Sequence, residues 1–593
     1  VFRNKEKLYI HPLKVYKRYS PTMYMLHSWE GEEFKPVTKS AIISQILTSI
    51  PQPWLDYTVH RLDIWRRSFF EAQEIYNTKP ANLDSKKTDE LFTRLLRMAI
   101  TRDSRLLELA REYLELSDLI DIGKRMIGTG LIGGKSVGML IARAILRETD
   151  NKWQDLLEEH DSFFIGSDVF YTYLIRNGCW WKRRKLKSSG SIFDDAEEVS
   201  KIILTGTFPD DIKDQFVEML NYFGQSPIIV RSSSLLEDAY GNSFSGKYDS
   251  IFCANQGTPE ERLECFMSAV RTVYASTMKK EALAYRSHLG LLEQDEQMAL
   301  LVQRVSGAKY TDFYFPHIAG VGFSFNPYVW DKDIDPRAGM IRMVFGLGTR
   351  AVNRNDDDYI RIVALNAPLK RPEASFNEVK KYTQKRVDIL DLSTNQLVSN
   401  YFMDMAKVMT DLPLDIFTSR DEELEQIARE RNMQNIFSHV LTFNRLLSDS
   451  KFVNVMKDML KTLRKAYNYH VDIEFTVNFQ SDDTYKINLV QCRPFQVTGD
   501  LRTKEIPEDI SSKNILIKTN GPIVGNSISS EIDRLIYIKP SVYGKLSISD
   551  RYSIARLIGK LTHLKDKTKD YKKKIALIGP GRWGTTTPSL GVP

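Results

Sequence analysis

The chain has 593 residues, too many for one hydrophobic core, and the usual domain size implies roughly three or four folding units. Hydrophobic residues at 42% and charged residues at 27% match an ordinary globular chain, and no uninterrupted apolar stretch of about 18 residues offers a membrane span. The net charge of +7 is too small for a chain of this length to argue for nucleic acid, and four scattered cysteines fit a reducing compartment, so the expected location is the cytoplasm. The chain opens on Val1 and stops after LGVP, and its natural termini are expected to lie outside these residues.

Residues 1–115 show helical periodicity in DYTVHRLDIWRRSFFEAQEIY and TDELFTRLLRMAI and read as a helical or mixed accessory region. DIGKRMIGTGLIGGKSVGMLIARAIL then runs from a glycine-rich loop into an apolar helix. FFIGSDVFYTYL predicts a strand and a helix start, and FPDDIKDQFVEML a helix opened by Pro209 and acidic residues, with WWKRRKLKSSG as an exposed loop between them. SPIIVRSSS reads as a buried strand ending in an arginine and serines, SFSGKYDSIF as a glycine turn into a strand, and MALLVQRV and HIAGVGFSFNP as two further strands. After RMVFGLGTRAV and the acidic NDDDYIRIV, residues 375–465 are expected to be mostly helical, followed by a closing strand pair, VDIEFTV and YKINLVQCRPF. TKEIPEDISSKN reads as a linker, and a small mixed tail ends in strand IALIG and turn PGRWG.

Loop followed by helix is a phosphate-binding geometry. The P-loop pattern ending at Lys135 and Ser136 fails at Thr129, where it needs glycine. Gly133 and Gly134 still free the backbone to approach an anion, the helix start presents unpaired N–H groups, and Lys135 adds a point charge. Arg231, at a strand end, suits either a salt bridge or a ligand. Ser243, Ser245 and Gly246 form a turn able to close over polyphosphate, or an ordinary hairpin.

Strand alternation puts Asp472, Glu474 and Thr476 on one face, and Leu489, Gln491 and Arg493 on one face of the partner strand. A hairpin centred between Asp482 and Asp483 then opposes Glu474 to Gln491 and Asp472 to Arg493. A carboxylate beside an amide oxygen is hard-ligand chemistry suited to Mg2+, and Arg493 is placed to clamp a phosphoryl group. The same pattern also suits a half-exposed hairpin with one salt bridge.

Together GGKSVGM, IVRSSSLLEDAYGNSFSGKYDSIF, LLVQRV, GVGFSFNP, FGLG, DIEFTV and LVQCRPF, in this order over about residues 120–500, resemble the nucleotide-binding domain of the pyruvate phosphate dikinase and phosphoenolpyruvate synthase family. The resemblance implies an α/β, ATP-grasp-like site between subdomains 116–300 and 301–500, flanked by 1–115 and 501–593. It implies that Lys135 and Arg231 hold ATP phosphates, that Gln303 lies on the adenine side, that Glu474 and Gln491 bind Mg2+, and that Asp472 and Arg493 sit beside the transferred phosphate. Complete members split ATP to AMP, passing phosphate to a histidine on a swivelling domain and then to pyruvate.

Three departures limit what carries over. Thr349 stands where many members have glutamate, with Asp356, Asp357 and Asp358 shortly after. No threonine-glycine-glycine motif followed by a serine-histidine pair occurs, and nothing after residue 500 is long enough for the pyruvate-handling barrel. The expected function is therefore a dikinase-type ATP-dependent phosphotransferase whose phosphohistidine partner or small-molecule acceptor lies elsewhere. The alternative is a non-catalytic ATP sensor. An oligomer stays open, and WWKRRKLK reads as a solvated loop rather than a nucleic-acid strip.

Overall fold

The structure is a computed structural model. It describes residues 64–77, 85–185, 192–237, 246–288, 290–291, 296–494, 510–517, 532–564, 574–585, 588 and 591–593, except 327, 329–330, 332, 353–357, 374, 410, 434–435 and 481–483, together with the backbone of four strands within 2–36.

Two five-stranded sheets position the site. The first holds β1 (Met126–Ile127), β2 (Ser162–Ile165), β3 (Ile228–Ser234), β4 (Ser250–Cys253) and β5 (Met298–Arg304), in the order β1-β2-β5-β3-β4. Only β1 and β2 are parallel; the other pairs are antiparallel. The second is wholly antiparallel, with β6 (Ile318–Phe323), β7 (Met340–Phe345), β8 (Arg361–Ala364), β9 (Val471–Phe479) and β10 (Tyr485–Pro494) in the order β8-β7-β6-β9-β10. The architecture is mixed α/β, as expected.

Helix α1 (Gly134–Thr149) lies against both sheets. Every residue from Lys135 to Leu146 is buried, so this helix is enclosed rather than amphipathic, which explains its apolar sequence on all sides. Glycines permit the close approach. A Cβ on Gly133 would stand 1.5 Å from the Ser233 carbonyl oxygen of β3, and its φ of +82° is itself a glycine conformation. A Cβ on Gly138, one turn further, would stand 2.0 Å from the Cys492 carbonyl oxygen of β10. The buried guanidinium of Arg143 also ties α1 to the second sheet, donating to Asn488 Oδ1 at 3.4 Å and to the Leu489 carbonyl at 3.5 Å.

One expectation is extended and one corrected. Helices make up about half of residues 375–465, but Arg386–Asp391 and Gln396–Tyr401 form a hairpin between them, within a second antiparallel sheet completed by Ala308–Tyr310 and Phe313–Phe315. Its strands are short, and Asn395 with φ 56° makes the turn, a signal that helical periodicity on either side obscures. WWKRRK is a helix, Trp180–Lys185, not an exposed loop. Trp180 and Arg183 are buried, with the Arg183 guanidinium 5.2 Å from the Phe170 ring centroid, so these two side chains face the core and not a nucleic-acid strand. Residues 186–190 of that segment lie outside the described residues.

Helix propensity alone favours Gly138→Ala by about 1 kcal/mol, but the clash with the Cys492 carbonyl outweighs it. The expected result is a loss of about 2 kcal/mol in chemical denaturation. An unchanged or raised midpoint would show that α1 does not approach β10 so closely.

Candidate nucleotide site

The facing surfaces of the two sheets enclose a cavity of about 320 Å³. Lys135, Arg231, Gly246, Gln303, Glu474, Gln491 and Arg493 all line it, so residues up to 358 positions apart in sequence meet in one place. Asp472 lies behind Arg493. Gly133 and Gly134 do not line the cavity: their missing side chains make room for the Ser233 and Glu237 carbonyls, so their role in this structure is to seat α1 on β3. Ser243 and Ser245 lie outside the described residues.

Lys135 projects from the first turn of α1, where its Nζ donates to Ser232 Oγ at 2.9 Å and pairs with Glu237. Glu237 is buried, accepts from the Ser234 N–H at 2.9 Å and from Ser232 Oγ at 3.1 Å, and so fixes both β3 and the lysine. It followed the arginine-serine strand in the sequence, yet its pairing with a residue 102 positions earlier left no local signal.

Arg231 reaches across the cavity into the hairpin. One guanidinium nitrogen pairs with Glu474 and donates to Gln491 Oε1 at 2.9 Å; the other donates to the Val490 carbonyl at 3.2 Å. Burial raises the Glu474 carboxyl, but Arg231, Arg493 and Lys135 outweigh it and hold its pKa below the usual value. Arg493 donates two parallel hydrogen bonds to Asp472, at 2.7 and 2.9 Å. Gln303 lines the cavity beside Arg231, accepting from its guanidinium at 3.5 Å and donating to Met139 Sδ at 3.1 Å.

The hairpin pairs Asp472 with Arg493 and Glu474 with Gln491, as its expected register requires. Beyond Glu474 the register slips by one residue at a bulge, so Phe475 opposes Leu489 and Thr476 opposes Asn488. The expectation that Leu489 shares a face with Gln491 is thereby corrected: Leu489 belongs to the core, while Asn488, Val490 and Gln491 line the cavity. The bulge also turns the Val490 carbonyl toward Arg231.

The donor chemistry fits a cation and an anionic ligand together. Glu474 and Gln491 direct oxygens at one point, at present held by an arginine nitrogen, and Thr476 Oγ1 is a buried cavity-lining hydroxyl with no hydrogen-bond partner. Two oxygen donors suffice for Mg2+ when phosphate and water supply the rest. Ile229, Phe252, Val305 and Leu347 provide an apolar part of the wall. Thr349, also on the wall, donates to Asp388 Oδ2 at 2.6 Å, and Asp358 caps the N–H groups of Lys385 and Arg386 instead of facing the cavity. Asp356 and Asp357 lie outside the described residues.

Residues 129–514, well over half of the chain, match the family described as pyruvate phosphate dikinase, AMP/ATP-binding domain. The chain belongs to this family. It is also similar to "Uncharacterized phosphotransferase YvkC" of Bacillus subtilis (strain 168), at 25% identity over 303 residues. That match covers 51% of this chain and 28% of the relative, so the chain spans well under half of the relative's length. The span matched to the dikinase nucleotide-binding family begins at Thr129 in the glycine loop, ends beyond the β9-β10 hairpin, and contains every residue that lines the cavity. Among the described residues no helix is long and apolar enough to cross a membrane.

The loop entering α1 is held by Asp168, which accepts from the Thr129 N–H at 2.7 Å and from Thr129 Oγ1 at 2.9 Å. Burial pushes the Asp168 carboxyl up to about 6 against these hydrogen bonds. Its folded value lies above its unfolded value, so the linked stability is full below about pH 4 and is lost as pH rises through about 6. Asp168→Asn is expected to flatten denaturation midpoints across this window. An unchanged pH slope in that variant would remove Asp168 as the titrating group.

Proposed function

We propose that this chain binds Mg-ATP in the cavity between the two sheets and acts as a phosphotransferase of the dikinase type, releasing AMP. The observation that carries this reading is the convergence of Lys135, Arg231 and Arg493 with Glu474 and Gln491 around one cavity with an apolar wall. Lys135 and Arg231 would bind the phosphates, and the apolar wall with Gln303 would hold the base. Glu474 and Gln491 would hold Mg2+, which supplies charge neutralisation of the phosphate oxygens. For that, Arg231 must release the two oxygens it bridges and turn to phosphate, exchanging one anionic partner for another. Arg493, oriented by Asp472, would stabilise charge on the transferred group.

The acceptor would be a histidine on a separate domain or partner protein, or a small molecule such as pyruvate. A cytoplasmic location fits this chemistry. The family membership and the phosphotransferase name of the Bacillus relative support the reading. One observation favours a second reading, an ATP-binding sensor without turnover: Thr349 occupies the cavity wall where the resemblance leads one to expect glutamate, and its hydroxyl is spent on Asp388.

AMP formation separates the two. With Mg-ATP and pyruvate, or with a phosphohistidine domain from a dikinase, the chain is expected to generate AMP, detected by chromatography. ATP binding that depends on Lys135 without AMP from any acceptor would leave only the sensor. Glu474→Gln keeps the shape but removes the charge, and is expected to weaken Mg-dependent ATP binding by roughly tenfold or more. Unchanged binding and turnover would exclude Glu474 as a metal ligand.

A further inference from the structure

A second cavity, of about 300 Å³, lies away from the nucleotide residues and is lined by Leu412, Pro413, Asp415, Arg420, His439 and Arg445, among others. Three short elements build it. Thr418–Arg420 and His439–Leu441 form a two-stranded antiparallel ladder in which Arg420 directly opposes His439, so the two side chains emerge on the same face. Arg445 comes from the helix Asn444–Asp449 that follows, and the buried Leu412 and Ile416 form an apolar floor.

Arg420 and Arg445 are exposed, and neither has an ion pair or side-chain hydrogen bond with a described residue, although the Asp415 carboxylate shares the wall. The histidine is oriented. Thr418 Oγ1 donates to the Leu414 carbonyl at 2.7 Å, so it accepts the Nδ1–H of His439 at 2.8 Å, and Nε2 is the nitrogen left for a ligand. Burial lowers the His439 pKa and Arg420 lowers it further, against the opposing charges of Asp415 and Glu425. A neutral imidazole therefore stands near the Arg420 guanidinium at neutral pH, with Nε2 free of the Thr418 contact, and Arg445 lines the same cavity.

We propose that this cavity is a binding site for the phosphate group of a small phosphomonoester, separate from the nucleotide cavity. Arg420 and Arg445 present forked donors matched to the oxygens of the dianion, and His439 takes up a proton at Nε2 as the anion binds and donates it to a further phosphate oxygen. The apolar floor of Leu412 and Ile416 accommodates the carbon chain.

Calorimetry of the full chain with glycerol 3-phosphate, inorganic phosphate and citrate tests this. We expect glycerol 3-phosphate and phosphate to bind the unmodified chain and to retain that binding in Lys135→Ala. The double variant Arg420→Gln, Arg445→Gln is expected to weaken both by roughly tenfold or more, while leaving ATP affinity unchanged. Arg445→Lys, which keeps the charge but loses the fork, is expected to give an intermediate loss in a folded protein, and the His439 ring resonances should titrate at higher pH when phosphate is bound. Phosphate affinity unchanged in both arginine variants, loss confined to Lys135→Ala, binding of citrate without phosphate, or no binding at millimolar concentration would each overturn the proposal.

Discussion

The close approach of α1 to the backbones of β3 and β10 is the constraint on which the rest of the structure depends. An α-helix carrying side chains on every face keeps its axis some 8–10 Å from its neighbours. Here Gly133 and Gly138 leave two gaps, and carbonyl oxygens of the two sheets fill them. Because the same helix touches both sheets, it sets their separation, and that separation is the nucleotide cavity. Lys135 lies between the two contacts, so the geometry that joins the sheets also aims the lysine.

Charge in the cavity is arranged so that each of its three central cations meets an anion. Lys135 has Glu237, Arg231 has Glu474, and Arg493 has Asp472. Burying these groups unpaired would cost several kcal/mol each, so the pairs hold the fold together as well as the site. A polyphosphate with its metal offers the same charges in a different order: anion for the lysine and arginine, cation for the carboxylate. A metal taking the place of Arg231 at Glu474 frees that arginine for phosphate without stranding the carboxylate, provided that Lys135 and Arg493 keep Glu237 and Asp472 as they face the ligand. The second, arginine-lined cavity differs in this respect, since its two exposed guanidinium groups form no ion pair with a described residue although Asp415 shares the wall.

Much of the frame was legible before the fold. The strands around Arg231, Gln303 and Glu474 are short apolar runs with clear ends, and the hairpin pairing of Glu474 with Gln491 followed from alternation and the position of its turn. The slip at Val490 was not legible, because a bulge inserts one residue without changing the hydrophobic pattern on either side. The helix at Trp180–Lys185 was misread for a related reason: a run of cations looks solvated, whereas Arg183 is folded over Phe170 and only the packing shows it.

By itself the sequence determined the order of the elements, the family resemblance and the residues that carry charge and oxygen donors. These are properties of neighbours in the chain, where periodicity of two or 3.6 residues and turn chemistry act locally. The tertiary structure decided that Gly133 and Gly134 serve packing rather than line the cavity, that Glu237 partners Lys135, and that one nitrogen of Arg231 bridges Glu474 and Gln491. Those outcomes depend on distances between segments 100 or more residues apart, fixed only when two sheets close on one helix.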